Sequence, residues 1–157
     1  MNTLPPCDFN FLARQTRLML SSYRHWKGKG LWPEDRPDDV LVKEVFFAPF
    51  VLCSAGTQED PVLNYGNQKA LDLWEMNWQT FTRTPGRQTA EPRERGERAR
   101  FLETVKKNGF VDHYRGIRIS KTGRRFEIAQ AMVWNLIDGR GKYAGQAAAF
   151  ENWQEKK

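Results

Sequence analysis

Three β-rich runs set close together constrain this chain more than anything else in it. "GFVDHYRGIRIS", "RRFEIAQAMVWNLI" and "KYAGQAAAF" occupy Gly109 to Phe150, and only "KTG" and "DGRG" separate them. Linkers that short close antiparallel hairpins, whereas a parallel pair needs a crossover of about a dozen residues or more. The C-terminal third is therefore expected to be an antiparallel meander, and the preceding segments have to cover that sheet.

Alternation along the middle run divides it into two faces. Phe126, Ile128, Gln130, Met132, Trp134 and Leu136 fall on one, and Glu127, Ala129, Ala131, Val133 and Asn135 on the other. The first set is bulky and is expected to face helices. Gln130 is the exception in that row, and an amide buried there must hydrogen-bond a neighbour, a water or a ligand. The last run is small, with Gly145, Ala147, Ala148 and Ala149. Beneath helices, such residues either let Trp74, Met76, Trp78 or Phe81 pack inward or leave a cavity.

Upstream, "KEVFFAPFVLCSAG" holds a β-rich run from Val45 to Cys53, with Pro49 marking an edge or a bulge. "TQEDP" turns, "VLNY" is a short second strand, and "NQKALDLWE" is a helix of about nine residues capped by Asn67, with Ala70, Leu71 and Trp74 on its inner face. After an irregular stretch, a further helix is expected from Pro92 to Gly109, burying Phe101, Leu102 and Val105. At the other end, Asp8 caps an amphipathic helix through "FNFLARQTRLMLSSYRHW", stopped by "KGKG" and followed by the connector "LWPEDRPDD". The stripe through Leu12, Met19 and Trp26 serves equally to cover the sheet or to pair with a second copy.

The 157 residues fit one domain, and 39% hydrophobic content with six Trp and ten Phe exclude a disordered chain. Two cysteines make no disulfide framework, and with two His no zinc cluster can be assembled by spacing. The N-terminus lacks an export signal and nowhere do about 18 apolar residues run together, so a cytoplasmic protein without a membrane span is expected. The net charge of +6 is uneven: Arg83 to Arg125 carries +8 and the remainder −2. Because "PRERGERAR" mixes Glu among its Arg, it reads as a solvated helix face in preference to a nucleic-acid surface.

The order of elements, a helix and then β-β-α-(α)-α-β-β-β, is the layout of the PAS fold. "APFVLCSAGTQEDPVLNYGNQKALDLWE" is similar to its opening and "WNLIDGRGKYAGQAAAF" to its closing hairpin. More specifically, "DPVLNYGNQKALDLWEM", "FTRTPGRQTAEP", "ERARFL", "NGFVDHYRGIRIS" and "GRRFEIAQAMVWNLID" resemble the MEKHLA domain, a PAS-related family, over Phe11 to Phe150. The resemblance implies an α+β PAS-like fold: a five-stranded antiparallel sheet with helices packed on one side, plus an N-terminal helix. Residues 1–40 are read as that helix and its acidic, proline-containing connector, and 41–152 as the PAS-like domain. The family's name-giving string, a homeodomain and a zipper are all absent, so a transcription-factor context does not carry over.

The function this implies is a sensory or regulatory module that binds a small molecule between sheet and helices and controls self- or partner association. Asn64, Tyr65, Trp74, Gln130, Met132 and Trp134 are the candidate ligand-binding residues, with Gln130 as polar anchor. The alternatives are a ligand-free dimerisation module, pairing through the N-terminal helix, and an enzyme using the same cavity. No catalytic set is legible, and "GRGKYAG" and "GKG" read as turns, the first because it runs into a strand where a dinucleotide site needs a helix N-terminus, the second because it lacks the rest of a phosphate loop. The cofactor stays open, with the residues against haem and covalent flavin. Asn67 to Asn108 contains no His to serve as axial ligand, and no flavin-linking Cys motif occurs, Cys53 being read as a buried structural thiol.

Overall fold

A computed structural model describes residues 3–156. Two helices, α1 (Phe9–Lys27) and α2 (Asp38–Phe46), precede strands β1 (Val51–Ala55) and β2 (Leu63–Gly66). Helices α3 (Gln68–Trp74) and α4 (Trp78–Phe81) follow, then two 3-10 turns, then α5 (Arg95–Asn108). Strands β3 (Phe110–Ile119), β4 (Arg125–Ile137), β5 (Tyr143–Phe150) and β6 (Asn152–Lys156) complete the described chain. The sheet is antiparallel throughout, in the order β2-β1-β5-β4-β3. β4 is its spine, flanked by β3 on one side and by β5 and then β6 on the other. The meander forms as its short turns require, and β6 extends it beyond the five expected strands.

Helices cover both faces. On the first lies α1, capped by Asp8, which accepts from the Asn10 amide, and ended at Gly28 in the left-handed conformation. It buries Leu12, Met19 and Leu20 against the sheet, and the Trp134 indole donates to the Met19 carbonyl at 3.1 Å. The stripe on α1 is thus spent within its own chain. On the second face, Trp74 of α3 sits edge-on to Phe81, Phe126 and Phe150, with ring centroids 5.4–6.2 Å apart.

One expectation fails at the centre of β4. Gln130 has φ 54° and lies beside a register shift in the β3–β4 pairing, where His113 has φ 58°. A left-handed residue inside a strand is a bulge, and it resets the alternation of side chains. Phe126 and Ile128 therefore stay on the α3–α5 side with Val133, while Met132, Trp134 and Leu136 turn to α1. Gln130 is exposed, and its Oε1 accepts from Asn152 Nδ2 at 3.2 Å. The row of bulky residues is split between two layers.

A second difference is α2. The run from Val45 was expected to be strand, but Val45 and Phe46 end a helix that buries Leu41, Val42, Val45 and Phe46, and β1 begins only at Val51. Pro37 and the acids Asp38 and Asp39 suit its first turn. Arg17 of α1 orders the connector by donating to the Glu34 and Arg36 carbonyls and to Asp38.

Candidate functional site

The second face of the sheet does not close fully. Between α5 and strands β1, β4 and β5 runs a cleft of about 660 Å³, and inward of it, beneath α3 and α4, lies a chamber of about 70 Å³. The two adjoin, sharing Cys53, Leu63, Arg98, Leu102, Val133 and Ala148 in their linings. The outer volume lies in the range of small-molecule sites, roughly 300–1,000 Å³, and the inner one has room for a small head group. The cleft is open because β5 offers it the small side chains of Ala147 and Ala148 beside Tyr143 and Gln146, and because α5 buries only Val105 completely.

Polar groups at this site are unusual in kind. Arg118, 7% exposed, borders the chamber and donates to its neighbour's Ile117 carbonyl and to the Tyr114 hydroxyl. Arg98 borders both spaces, its Nε is buried without a hydrogen-bond partner, and burial together with the nearby Arg118 charge lowers its pKa to about 10. Gly86 leaves room for this guanidinium, since a Cβ there would lie 2.8 Å from Arg98 Nη2. The Trp74 indole N–H, also at the chamber, is likewise buried and unpartnered. Among the described residues no carboxylate lines the chamber. Burial pushes the Cys53 thiol up to about 11, so at neutral pH it is a small apolar wall residue rather than a nucleophile.

Around the outer cleft, Arg87 pairs with Asp60 at 3.0 Å, and Lys106 lies over the Tyr143 ring. Gln146 donates from its amide to the Leu102 carbonyl on α5 and to Asn135 Oδ1. Asn135 donates from Nδ2 to the Lys106 carbonyl, and its own carbonyl accepts from the Trp26 indole of α1. The close approach of Trp26 depends on Gly109, at φ 101°, where a Cβ would meet the indole at 2.5 Å. A chain of hydrogen bonds thus leads from the cleft, round the edge of the sheet, to α1.

Of the six residues expected to line a ligand site, the chamber brings in Trp74. Asn64 accepts from Ser54, which accepts from Gln15 of α1, so Asn64 belongs to the opposite face. Tyr65 lies there too: it pairs across the strands with Ser54, and burial raises its phenol pKa against the smaller, lowering effect of Thr16 of α1. Met132 and Trp134 follow α1 because of the bulge, and Gln130 faces solvent. The residues that sequence reasoning passed over are Arg98, Arg118 and Gln146. Arg98 had a signal, for it stands four and seven positions before Leu102 and Val105 and so shares their stripe. Arg118 is the cross-strand partner of inward-facing Phe126, which counting back across the "KTG" turn would have indicated.

Comparison with known proteins agrees with this architecture. The MEKHLA domain family matches residues 13–155. The chain is 26% identical over 144 residues to the homeobox-leucine zipper protein ATHB-9 of Arabidopsis thaliana, a match that takes in 87% of this chain but only 17% of that protein. Among solved structures, it resembles the PAS domain of a protein from Colwellia psychrerythraea, with a TM-score of 0.62 at 11% identity, covering 75% of this chain and 95% of that one. A light-oxygen-voltage domain studied with a flavin analogue gives 0.58 at 17% identity, covering 75% and 85%. An RNA-binding light-oxygen-voltage receptor gives 0.60 at 17% identity, covering 78% and 34%. These likenesses establish a PAS-like fold.

Proposed function

The chain belongs to the MEKHLA domain family, and from that premise we propose that it works as a sensory module which takes up a small molecule in the cleft between α5 and the sheet. The observation that carries this reading is the outer cleft adjoining, through shared walls, an inner chamber of largely apolar lining whose unspent polar atoms are buried. Buried polar groups without partners are costly in a chain that has no use for them.

Occupancy acts by population shift: a ligand that prefers one seating of α5 over the sheet favours that seating in proportion to its differential affinity. The route from Gln146 and Leu102 through Asn135 to Trp26 carries the change to α1. Its output is association, with a second copy of the chain through the outward side of α1 and α2, where Phe9 and Val40 stand exposed. The role is binding rather than turnover. No helix among the described residues is long and apolar enough to cross a membrane.

Thermal unfolding in the low-molecular-weight fraction of host extract tests the cleft. The unaltered protein is expected to melt at a higher temperature in that fraction than in buffer, and Ala148→Leu, which fills the shared wall, is expected to lose the shift. Equal shifts in both proteins would move the site elsewhere, and no shift in either would count against a ligand.

A further inference from the structure

Resting on the cleft reading above, we propose that the ligand is an organic carboxylate, seated with its carboxylate in the inner chamber between Arg98 and Arg118 and its apolar body in the outer cleft. Three observations carry this further than a general pocket. First, two guanidiniums border one chamber with no carboxylate in its lining, and neither has an ion pair among the described residues. Arg118 is buried and Arg98 half-buried, so an anion seated between them would compensate both charges.

Second, every unspent polar atom at the chamber is a donor: Arg98 Nε and the Trp74 indole N–H are buried and unpartnered, and a guanidinium has no acceptor to offer. A neutral ligand rich in donors would leave them unmet. Third, size and lining assign the head group and the body. The inner chamber, about 70 Å³ and walled by rings, suits a planar carboxylate, which a guanidinium fork grips with two parallel hydrogen bonds. The outer cleft offers Ala99 and Leu102 of α5 opposite Val133 and Ala148 of the sheet, a slot for an apolar body. At its rim Arg87, Arg95 and Lys106 are matched by Glu59, Asp60 and Glu103, so the selection for an anion rests with Arg98 and Arg118.

The test compares acids with their own neutral amides: octanoate with octanamide, phenylacetate with phenylacetamide, and cinnamate with cinnamamide, alongside inorganic phosphate. Melting temperature and calorimetric titration of the full chain are the readouts. At least one acid is expected to bind while its amide and phosphate do not, and Arg98→Met is expected to weaken that acid by about tenfold or more, the scale of one charged hydrogen bond. Because that variant removes an unpaired charge, its ligand-free melting temperature is expected to stay level or rise, which a structural arginine would not allow. Arg118→Lys, which keeps the charge and loses the fork, is the second variant and is expected to weaken the acid as well. An amide that binds as tightly as its acid, or binding that both variants retain, would overturn the anionic head while leaving the cleft reading intact. Binding of phosphate alone would overturn the carboxylate. No binding of any acid would overturn the proposal, and together with a failure of host extract to shift the melting temperature it would remove the cleft reading too.

Discussion

At the scale of single residues, Asn67 shows how much one side chain organises. Its Oδ1 accepts from the Leu52 and Ala70 amides, and its Nδ2 donates to the Val45 and Phe50 carbonyls, all in a fully buried position. It therefore caps α3 and at the same time joins the end of α2 to β1. Replacing it with Ala is expected to cost about 3 kcal/mol or more, a lost cap plus buried groups left unpaired, read by denaturant unfolding. The cap on α3 was legible in the sequence because Asn before a helical run has a local meaning. The two carbonyls it serves lie 17 and 22 positions away, and only the fold brings them there. The same distinction separates the site residues. Trp74 was legible from its helical stripe, whereas Arg98 was hidden by the charges around it, most of which do face solvent.

At the scale of elements, the meander, α1, α3 and α5 follow from short turns, caps and apolar periodicity, each a local property. The bulge in β4 does not, because nothing in "EIAQAMV" distinguishes a reset of alternation from its continuation. Its effect is large: one residue moves Met132, Trp134 and Leu136 to the α1 layer and leaves Ala131, Val133 and Asn135 to face α5. If the left-handed backbone at Gln130 is what sets the register, Gln130→Val should destabilise the protein by about 1–2 kcal/mol, since a β-branched residue is strained there, and Gln130→Gly should be neutral or stabilising. Equal losses for both variants, by the same denaturant measurement, would show that the side chain and not the backbone conformation matters. Helix α2 was missed for a different reason: Val45 and Phe46 favour strands in isolation, and burial against α1 and the sheet overrides that preference.

At the scale of the whole molecule, the protein is a sheet with two unlike covers. α1 and α2 are seated by fully buried side chains, whereas α5 lies over a cleft with Val105 as its one fully buried residue. Of the two covers, α5 is the one with least to lose by moving, and it carries Arg98, whose partner at the chamber, Arg118, is on β3. Fold class was readable from the order of elements, but the chemistry of the cleft was not, because it depends on which charges the fold takes out of water. Whether this cleft holds a small molecule is decided by native mass spectrometry of the protein purified from its own host. A species heavier than the bare chain is expected, with the added mass released on denaturation and identified as an organic acid. A population consisting only of the bare chain, as monomer or dimer, would contradict it.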